Sequence, residues 1–397
     1  MTTIAVVGFI TPAAAVLGGS LAAQVHPQLV RHGSVTGLAS PSCSSSAFCA
    51  STIDSAYSLT GIQANASSNG TGQTVVIVDA CGDANIATDL TTFDAAMGLS
   101  DPTLTVYQPQ GTPCSDPFGW GLESALDVEW AHVIAPGASI ALVEAKSATN
   151  GNLFGAWNYS LVHKLGNQIS NSWGGSGACP SQAKTLLTAA AKARVTVLAS
   201  SGDGGAWGSG TRQTIQYPAD CQTVLAVGGT SLSVTSSGAY SSESAWSGSG
   251  GGYSQGTTEP TYQTKANITD TYTELGKPDV AAVADPSTGV WVYEKGSGGW
   301  VVVGGTSVAC PIWAGFVADV NSWRAVNLFV ALGSVDPFLY NVVYGVNGGS
   351  SNYGADIHDV TTGSNGWSAG TGWDAATGIG SFNGGSLASL LASSKGA

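Results

Sequence analysis

Short apolar runs alternate along the chain with segments of helical periodicity. Runs rich in Val, Ile, Leu and Ala predict buried strands at residues 74–78, 139–143, 168–172, 195–199 and 223–227. Helical patterns lie between them at residues 122–133, 153–165 and 183–193. Strands that are apolar on both faces and separated by helices are typical of a parallel sheet with helices on each side. The pattern therefore predicts a three-layer α/β fold with a mainly parallel central sheet and helices on both faces.

Charged side chains are scarce along the whole chain. Only 9% of residues are charged, 55 residues are glycine, and 25 acidic against 12 basic residues give a net charge of −13. No basic cluster is present that would neutralise a row of phosphates, so nucleic acid is not an expected partner. A surface with few ionisable groups gains little positive charge when its carboxylates are protonated. This composition therefore favours an acidic medium.

The cysteines are not spaced like metal ligands, because there is no Cys-x-x-Cys pair or zinc-type His cluster among them. Disulfide bonds are the better interpretation. We expect the pairs Cys43–Cys49, Cys81–Cys114 and Cys179–Cys221, which leave Cys310 unpaired.

The most specific local signal surrounds Ser307. The segment Gly304-Gly305-Thr306-Ser307 follows the apolar run 301–303 and precedes a helical pattern at residues 312–317. A serine at a glycine-flanked turn from strand to helix has an exposed hydroxyl and a backbone amide at a helix N-terminus, which suits a nucleophile. An N-cap serine is the alternative. No histidine lies in a setting typical of a serine-protease base, and His132, near a helix end, is the nearest candidate.

Carboxylates offer another route to a base. Glu123 and Asp127 are spaced i and i+4 and lie on one face of the predicted helix 122–133, where two like charges favour a shared proton and one raised pKa. A solvated acidic face is the alternative. Asp203 follows the predicted strand 195–199, at the sheet edge where open parallel sheets bind ligands, although a turn residue would fit there too.

Motifs in four separate segments make the chain resemble the sedolisins, the serine-carboxyl peptidases that share the subtilisin fold. They are Glu-x-x-x-Asp from Glu123, Ser-Gly-Asp ending at Asp203, Gly-Thr-Ser-x-x-x-Pro around Ser307, and Asp-Val-Thr followed by Ala-Gly-Thr-Gly-Trp-Asp, in this order within residues 56–385. The resemblance implies Ser307 as nucleophile, Glu123 as general base and acid, Asp127 supporting Glu123, and Asp203 as oxyanion-hole donor. A carboxyl base and a protonated Asp203 both require low pH.

The last motif implies, by the same resemblance, one structural calcium ion. Its ligands would be the carboxylates of Asp359 and Asp374 and the carbonyls of Val360, Gly370 and Gly372. Calcium takes six to eight oxygen ligands, and glycines let the backbone turn its carbonyls inward. Asp356 is an alternative ligand, and a plain glycine-rich loop is the alternative to a metal site.

The domain organisation is expected to have three parts. Residues 1–25 are apolar and resemble a signal peptide, although no Lys or Arg precedes Arg31 as such a signal requires. Residues 26–55 are rich in Ser, Ala and Pro, and we expect a linker or the remnant of a pro-region there. Residues 56–397 are expected to form the peptidase catalytic domain. Sedolisins normally carry a longer pro-region, and Asp79, at a predicted strand end, is interpreted as structural.

These observations predict a secreted acid endopeptidase that acts as a monomer on peptides or unfolded proteins outside the cell. No apolar run after residue 25 is long enough for a membrane span, so no stable membrane insertion of the mature protein is expected. A non-catalytic extracellular binding protein on a peptidase-like scaffold is one alternative. A glycosidase that uses the carboxylate pair is another.

Overall fold

The structure is a computed structural model that describes residues 25–32, 41–115, 119–206, 215–268 and 272–394. Its strands are β1 (His26–Pro27), β2 (Val30–His32), β3 (Ala47–Phe48), β4 (Thr74–Ala80), β5 (Leu104–Tyr107), β6 (Ser139–Ala145), β7 (Gln168–Asn171), β8 (Trp173–Gly174), β9 (Thr196–Ser200), β10 (Val224–Val234), β11 (Tyr240–Ala245), β12 (Gly252–Thr258), β13 (Glu274–Lys277), β14 (Val280–Val283), β15 (Gly289–Glu294), β16 (Gly299–Gly304), β17 (Ile357–His358) and β18 (Ser381–Phe382). Its α-helices are α1 (Ala50–Ala56), α2 (Thr60–Gln63), α3 (Ile86–Met97), α4 (Trp120–Ile134), α5 (Asn150–His163), α6 (Ser181–Lys192), α7 (Thr261–Ala266), α8 (Thr306–Val326), α9 (Asp336–Phe338), α10 (Tyr353–Asp356) and α11 (Gly384–Ser393).

The central sheet has the spatial order β11-β10-β9-β7-β4-β6-β5, and β14 also pairs with β10. All of its pairings are parallel except that of β10 with β11. Helices α4 and α8 pack against each other and against one face of the sheet, and α5 and α6 pack on the other face. The predicted three-layer α/β fold is confirmed.

Strand β4 shows why a sheet forms between two layers of helices. Val75 and Ile77 belong to the hydrophobic core beneath α4 and α8, and Val76 and Val78 belong to the core beneath α5 and α6. Side chains alternate along a strand, so a run that is apolar at every position buries both faces. The sheet therefore separates two hydrophobic cores, and the carboxyl ends of its parallel strands lie at one edge.

Several elements lie where the residue pattern predicts no distinct helix or strand. The predictions omit α3, β5 and α11. Residues 228–300 are rich in Gly, Ser and Thr, a pattern that predicts hairpins and loops, whereas β14 in that stretch extends the central sheet in parallel with β10. The helix expected at residues 312–317 is the middle of the longer helix α8, which begins at Thr306. Pro311 lies inside the first turns of α8, and because proline disfavours a helix interior, the residue pattern predicts a helix only after it.

The segment predicted as a linker at residues 26–55 is partly packed into the domain. Phe48 and Ile53 are fully buried in the core, and β3 pairs in parallel with β15. Packed structure therefore begins before residue 56. The predicted signal-like segment lies outside the described residues except for Val25.

Three disulfide bonds join Cys43 to Cys49, Cys81 to Cys114 and Cys179 to Cys221, and Cys310 is a buried free thiol. The predicted pairing is confirmed. Among the described residues, no helix is both long enough and apolar enough to cross a bilayer.

Candidate active site

Ser307 lies in the first turn of α8, where β16 runs into the helix. Gly305 is the N-cap residue, with φ at 109°, so Ser307 is not the cap itself. A Cβ at Gly305 would clash with Asp203 Oδ2, because the two atoms would lie 2.6 Å apart. Glycine, which has no Cβ, avoids this clash at the turn. The Ser307 hydroxyl donates a hydrogen bond of 3.3 Å to the Ser172 carbonyl oxygen. Ser307 is fully buried, whereas the sequence predicted an exposed hydroxyl.

Glu123 and Asp127 occupy one face of α4, and both are fully buried. The solvated acidic face is therefore excluded. The Ser172 hydroxyl donates a hydrogen bond of 2.7 Å to Asp127 Oδ1. The carbonyl oxygen of the same Ser172 accepts the hydrogen bond from the Ser307 hydroxyl. Ser172, which follows β7, is therefore hydrogen-bonded both to Asp127 of α4 and to Ser307 of α8.

Burial dominates the electrostatics of this carboxyl pair. It raises the pKa of Glu123 well above its usual value, and the negative charges of Asp127, Asp79 and Asp203 raise it further. The nearby Ser307 hydroxyl opposes this rise. Burial and the Asp79 charge likewise raise the pKa of Asp127, against the effect of the Ser172 hydrogen bond. Protons are therefore held at this site under conditions where exposed carboxyls have lost theirs.

Asp203 follows β9 and reaches across to the start of α8. Its Oδ1 accepts hydrogen bonds from the Thr306 backbone amide at 2.7 Å and the Thr306 hydroxyl at 2.9 Å. Its Oδ2 is buried and has no hydrogen-bond partner among the described residues. Burial raises the pKa of Asp203 to about 7, although both Thr306 bonds oppose this. Asp203 is thus held by another element and is not a simple turn residue.

The histidine alternative is wrong for His132. Its Nε2 contacts the Ser100 carbonyl oxygen at 3.1 Å and lies 3.6 Å from Asp94, at the far end of α4 from Glu123. Burial lowers the pKa of His132 to about 4. Carboxyls are therefore the titratable groups that the described residues bring to Ser307.

Asp79 belongs to this acidic group, although the sequence interpretation made it structural. It is the next-to-last residue of β4, it is fully buried, and its charge raises the pKa of both Glu123 and Asp127. Burial raises the pKa of Asp79 itself to about 7. Its position at a strand end was visible in the sequence. Ser172 carried no signal of its own, because its contacts depend on the tertiary fold.

The predicted calcium ligands meet in one loop near the C-terminus. Asp359 accepts hydrogen bonds from the Gly372 amide at 3.0 and 3.1 Å, and Asp374 accepts one from the Gly370 amide at 3.0 Å. Burial raises the pKa of Asp374 to about 6. In the described part of the chain, neither carboxylate forms an ion pair with Lys or Arg.

The donor set of this loop fits calcium. The carbonyl oxygens of Val360, Gly370 and Gly372 accept no hydrogen bond from any described residue, and Val360 is almost fully buried. Buried carbonyls usually have a partner, so these oxygens and the two carboxylates form an all-oxygen set of the kind that calcium prefers. Asp356 instead accepts a hydrogen bond from Ser386 and is not part of this set.

Comparison with known proteins places the chain in a family. A family model described as the subtilase family matches residues 111–328, which is more than half of the chain. Kumamolisin from Bacillus sp. (strain MN-32) is 33% identical over 345 residues. The structure of a Pseudomonas sedolisin, described as a serine-carboxyl proteinase complexed with two molecules of pseudo-iodotyrostatin, superposes with a TM-score of 0.75 at 27% identity. The chain belongs to the subtilase family, in its sedolisin branch. The sedolisin structure is covered in full and matches 89% of this chain.

The sedolisin likeness covers only part of the curated relatives. The match to kumamolisin spans 79% of this chain but 59% of kumamolisin, and the match to Pseudomonas sp. (strain 101) sedolisin, at 29% identity, spans 78% and 56%. A tripeptidyl-peptidase 1 from Canis lupus familiaris is 29% identical over 302 residues, which is 66% of this chain and 50% of that protein. Its name denotes an exopeptidase, so membership of the family does not decide between internal and terminal cleavage.

Proposed function

We propose that the protein is a secreted serine-carboxyl endopeptidase that hydrolyses peptide bonds of unfolded proteins in an acidic medium. The observation that carries the proposal is the convergence of Ser307, two buried carboxyls of α4 and Asp203 at one edge of the central sheet. A nucleophile needs a base within reach, and here the pKa of the available base is raised.

The proposed roles follow from the contacts. Glu123 takes the proton of the Ser307 hydroxyl as the oxygen attacks the peptide carbonyl, and it returns the proton to the departing amine. Asp127, whose carboxyl accepts a hydrogen bond from the Ser172 hydroxyl, supports Glu123 as a proton acceptor, because its negative charge raises the pKa of Glu123. The Ser307 backbone amide and a protonated Asp203 Oδ2 donate hydrogen bonds to the oxyanion.

We propose that the C-terminal loop binds one structural calcium ion through Asp359, Asp374 and the carbonyls of Val360, Gly370 and Gly372. Bound calcium would neutralise the two carboxylates and hold the loop that returns to β18. The ion has no part in the proposed proton transfers, so its contribution would be to stability.

The test is digestion of an unfolded protein by the native chain from about pH 2 to about pH 8. We expect activity on the acid side, internal fragments rather than released tripeptides, and loss of activity in Ser307→Ala. Ser322→Ala is the matched control, because Ser322 lies in the same helix at a distance from Ser307 and donates only to the Thr71 carbonyl. Equal activity of native and Ser307→Ala protein would refute the proposal.

A further inference from the structure

Three turns meet at the edge of the central sheet opposite the catalytic residues. They end α5, α6 and α8 and comprise residues 162–167, 190–195 and 325–335, which we call the basal surface. The first two turns lead into β7 and β9 and lie at the amino ends of these strands, whereas Asp203 and Ser307 lie at the carboxyl ends. Helix α8 has 21 residues and spans about 30 Å, so the third turn is distant from Ser307.

The three turns contact one another around Arg194. The Asn167 side-chain amide donates a hydrogen bond of 3.1 Å to the Arg194 carbonyl oxygen, which joins the first turn to the second. The Thr196 hydroxyl at the start of β9 donates to the Gly333 carbonyl oxygen, and a Cβ at Gly333 would lie 3.4 Å from the Arg194 Cα. The basal surface is therefore continuous.

The third turn exposes apolar side chains to solvent. Leu328 is 93% exposed, and Val326 and Val330 on either side of it are 61% and 56% exposed. With Val162 of the first turn, they make up four of the seven large apolar side chains that are exposed in the described part of the chain. Single exposed apolar residues are common, but a cluster of them on one surface indicates an interaction site.

The buried Arg324 holds this turn in a defined shape. Its Nε donates a hydrogen bond of 2.8 Å to the Val330 carbonyl oxygen, and its guanidinium lies 5.6 Å from the centre of the Phe329 ring. The Leu328 amide donates to the Ala325 carbonyl oxygen at 3.0 Å. The exposed apolar side chains are thus presented by a hydrogen-bonded backbone.

The formally charged side chains of the basal surface are all basic. They are Lys164, Lys192 and Arg194, and all three are exposed. The sequence of the three turns contains neither Asp nor Glu, although 25 acidic residues face 12 basic ones in the whole chain. A basic surface on a protein with a net charge of −13 therefore fits an anionic partner.

The backbone of the basal surface provides an independent observation. Lys164, Arg194 and Leu328 have φ angles of 53°, 54° and 60°, in the left-handed region directly after a helix. Glycine is favoured there, and Gly98 occupies the same position after α3 with φ at 77°. Two cations and a leucine at positions that suit glycine lower the stability of the fold, which points to a role of their side chains in binding.

We propose that the basal surface binds an anionic lipid bilayer, with Leu328 entering the interfacial layer and the three basic side chains contacting lipid phosphates. Such a bilayer accepts both kinds of group at once, because its phosphates attract cations and its acyl boundary takes up apolar side chains. The contact is peripheral, and the catalytic residues would face away from the lipid. The inference is independent of the reaction proposed for Ser307.

The first test measures co-sedimentation of the full Ser307→Ala chain, in which proteolysis is avoided, with vesicles. Vesicles of phosphatidylcholine with about one third phosphatidylglycerol are compared with phosphatidylcholine alone. We expect at least about tenfold stronger partitioning to the anionic vesicles, and at least about a tenfold loss from about 0.05 M to about 0.5 M salt, because salt screens exposed charges. Equal binding to both kinds of vesicle, or no binding, would overturn the proposal.

Glycine variants in the same background locate the contact. Leu328→Gly, and Lys164→Gly combined with Arg194→Gly, should each weaken partitioning at least about tenfold, because an inserted leucine or two phosphate contacts are lost. Their melting temperatures should equal or exceed that of the parent, since glycine suits a positive φ. Ser58→Gly, at an exposed residue with φ at 58° outside the basal surface, should bind like the parent. Undiminished binding of the Leu328 and Lys164/Arg194 variants would place the contact elsewhere and contradict the proposal.

Light scattering without lipid distinguishes a bilayer from a second copy of the chain. A dimer of the parent that Leu328→Gly converts to a monomer would assign the basal surface to self-association and overturn lipid binding. A parent that stays monomeric and binds anionic vesicles supports the proposal.

Hydrolysis of a soluble peptide separates this proposal from the proposed function. With Ser307 intact, Leu328→Gly should keep the native kcat/KM, because the turn lies about 30 Å from the reacting groups. A loss of kcat/KM as large as the loss of vesicle binding would contradict a separate surface. If the native chain hydrolyses no peptide, the proposed function fails, and vesicle binding still decides this inference.

Discussion

The two oxygen atoms of a single carboxyl group at this site have different contacts and different proposed roles. Asp203 Oδ1 is held by two hydrogen bonds from Thr306, while Oδ2 is buried without a partner. A carboxyl group held in this way can rotate little, so a proton on Oδ2 points at a fixed place. Ser172 is divided similarly, since its hydroxyl serves Asp127 and its carbonyl serves Ser307. Burial favours the protonated form of these acids. The hydrogen bonds to one carboxyl oxygen fix the direction in which the other oxygen points.

Removing the donor at Asp203 is expected to slow the reaction. Asp203→Ala should lower kcat by roughly 10²–10³-fold, the usual cost of one oxyanion-hole donor. Asp203→Asn keeps an N–H donor that does not ionise and should retain more turnover. Rates of peptide hydrolysis for the three proteins measure this, and an Asp203→Ala protein with native kcat would reduce Asp203 to a structural residue.

The pH dependence of the same residue has a defined sign. The pKa of Asp203 is raised to about 7, so the protonated donor is present below that pH and is lost above it. Native activity should therefore fall as the pH rises through this range. Asp203→Asn should fall less steeply, although ionisation of Glu123 still affects both proteins. Identical pH profiles of kcat for the two proteins would contradict the donor role.

Helix starts and strand ends bring these residues together at the scale of elements. Ser307 lies in the first turn of α8, and Glu123 lies in the first turn of α4. Asp79 is the next-to-last residue of β4, and Asp203 follows β9 at the same sheet edge. Parallel strands place their carboxyl ends on one side, so residues far apart in sequence meet there. The site therefore depends on how these elements are packed against each other.

A methyl group at the start of α8 is expected to disturb this packing. Gly305→Ala places a Cβ against Asp203 Oδ2 and the backbone at Gln28, at a residue whose φ of 109° disfavours other side chains. We expect kcat to fall about 10²-fold or more, since small displacements of reacting groups have effects of this size. Gly354→Ala is the matched control, because nothing lies near its Cβ position. Native kcat in Gly305→Ala would show that the turn tolerates a side chain.

The C-terminal loop gives a second prediction for an element. Removal of calcium by a chelator is expected to lower the melting temperature, because a ligand that binds only the folded state stabilises it. Asp374→Asn should lower the melting temperature in calcium and abolish the effect of the chelator. Asp101→Asn, at an exposed acid, should behave like the native protein. A melting temperature that is the same with and without chelator would show that the loop binds no calcium.

The sequence predicted the sheet strands well because their period and composition are strong. It predicted the disulfide pairs and the positions of Glu123, Asp203 and Ser307 from local patterns. It could not show the pairing of β1 with β8, because this pairing joins residues distant in sequence. Nor could it show that Asp79 lies beside Glu123 and Asp127, since only the packing of α4 against β4 makes them neighbours. Local periodicity predicts whether a segment is a helix or a strand. Which residues of different segments become neighbours depends on tertiary contacts.

Buried carboxyl groups with raised pKa values occur throughout the described part of the molecule. Buried carboxyls occur far from the site as well, including Asp319 in α8, whose carboxyl oxygens have no hydrogen-bond partner among the described residues. Burial raises the pKa of Asp319 well above its usual value, and that of Asp54 to about 7. The unfolded chain releases such protons at lower pH than the folded chain does. Raising the pH therefore favours unfolding from the ordinary carboxyl pKa up to the raised one.

The expected result is a melting temperature that falls as the pH rises from about 4 to about 8. Calorimetry of the Ser307→Ala variant measures this without self-digestion. The melting temperature of Asp319→Asn in the Ser307→Ala background should fall less with rising pH, because residue 319 then has no proton to release. At about pH 8 the fall should be smaller than that of the Ser307→Ala parent by about 2 °C or more. Asp101→Asn, at an exposed carboxyl, should follow the parent curve. A melting temperature that rises toward neutral pH would contradict this view of the fold.

The position of His132 away from Ser307, with carboxyls as the proposed base, has a consequence for chemical inactivation. Chloromethyl ketones stop ordinary serine proteases by alkylating the histidine base, and His132 is held at the other end of α4. We expect such reagents to leave this protein active even when their peptide portion fits the cleft. Aldehydes, which form a hemiacetal with the serine oxygen alone, should inhibit it. The pair of reagents distinguishes a carboxyl base from an imidazole base without any mutation.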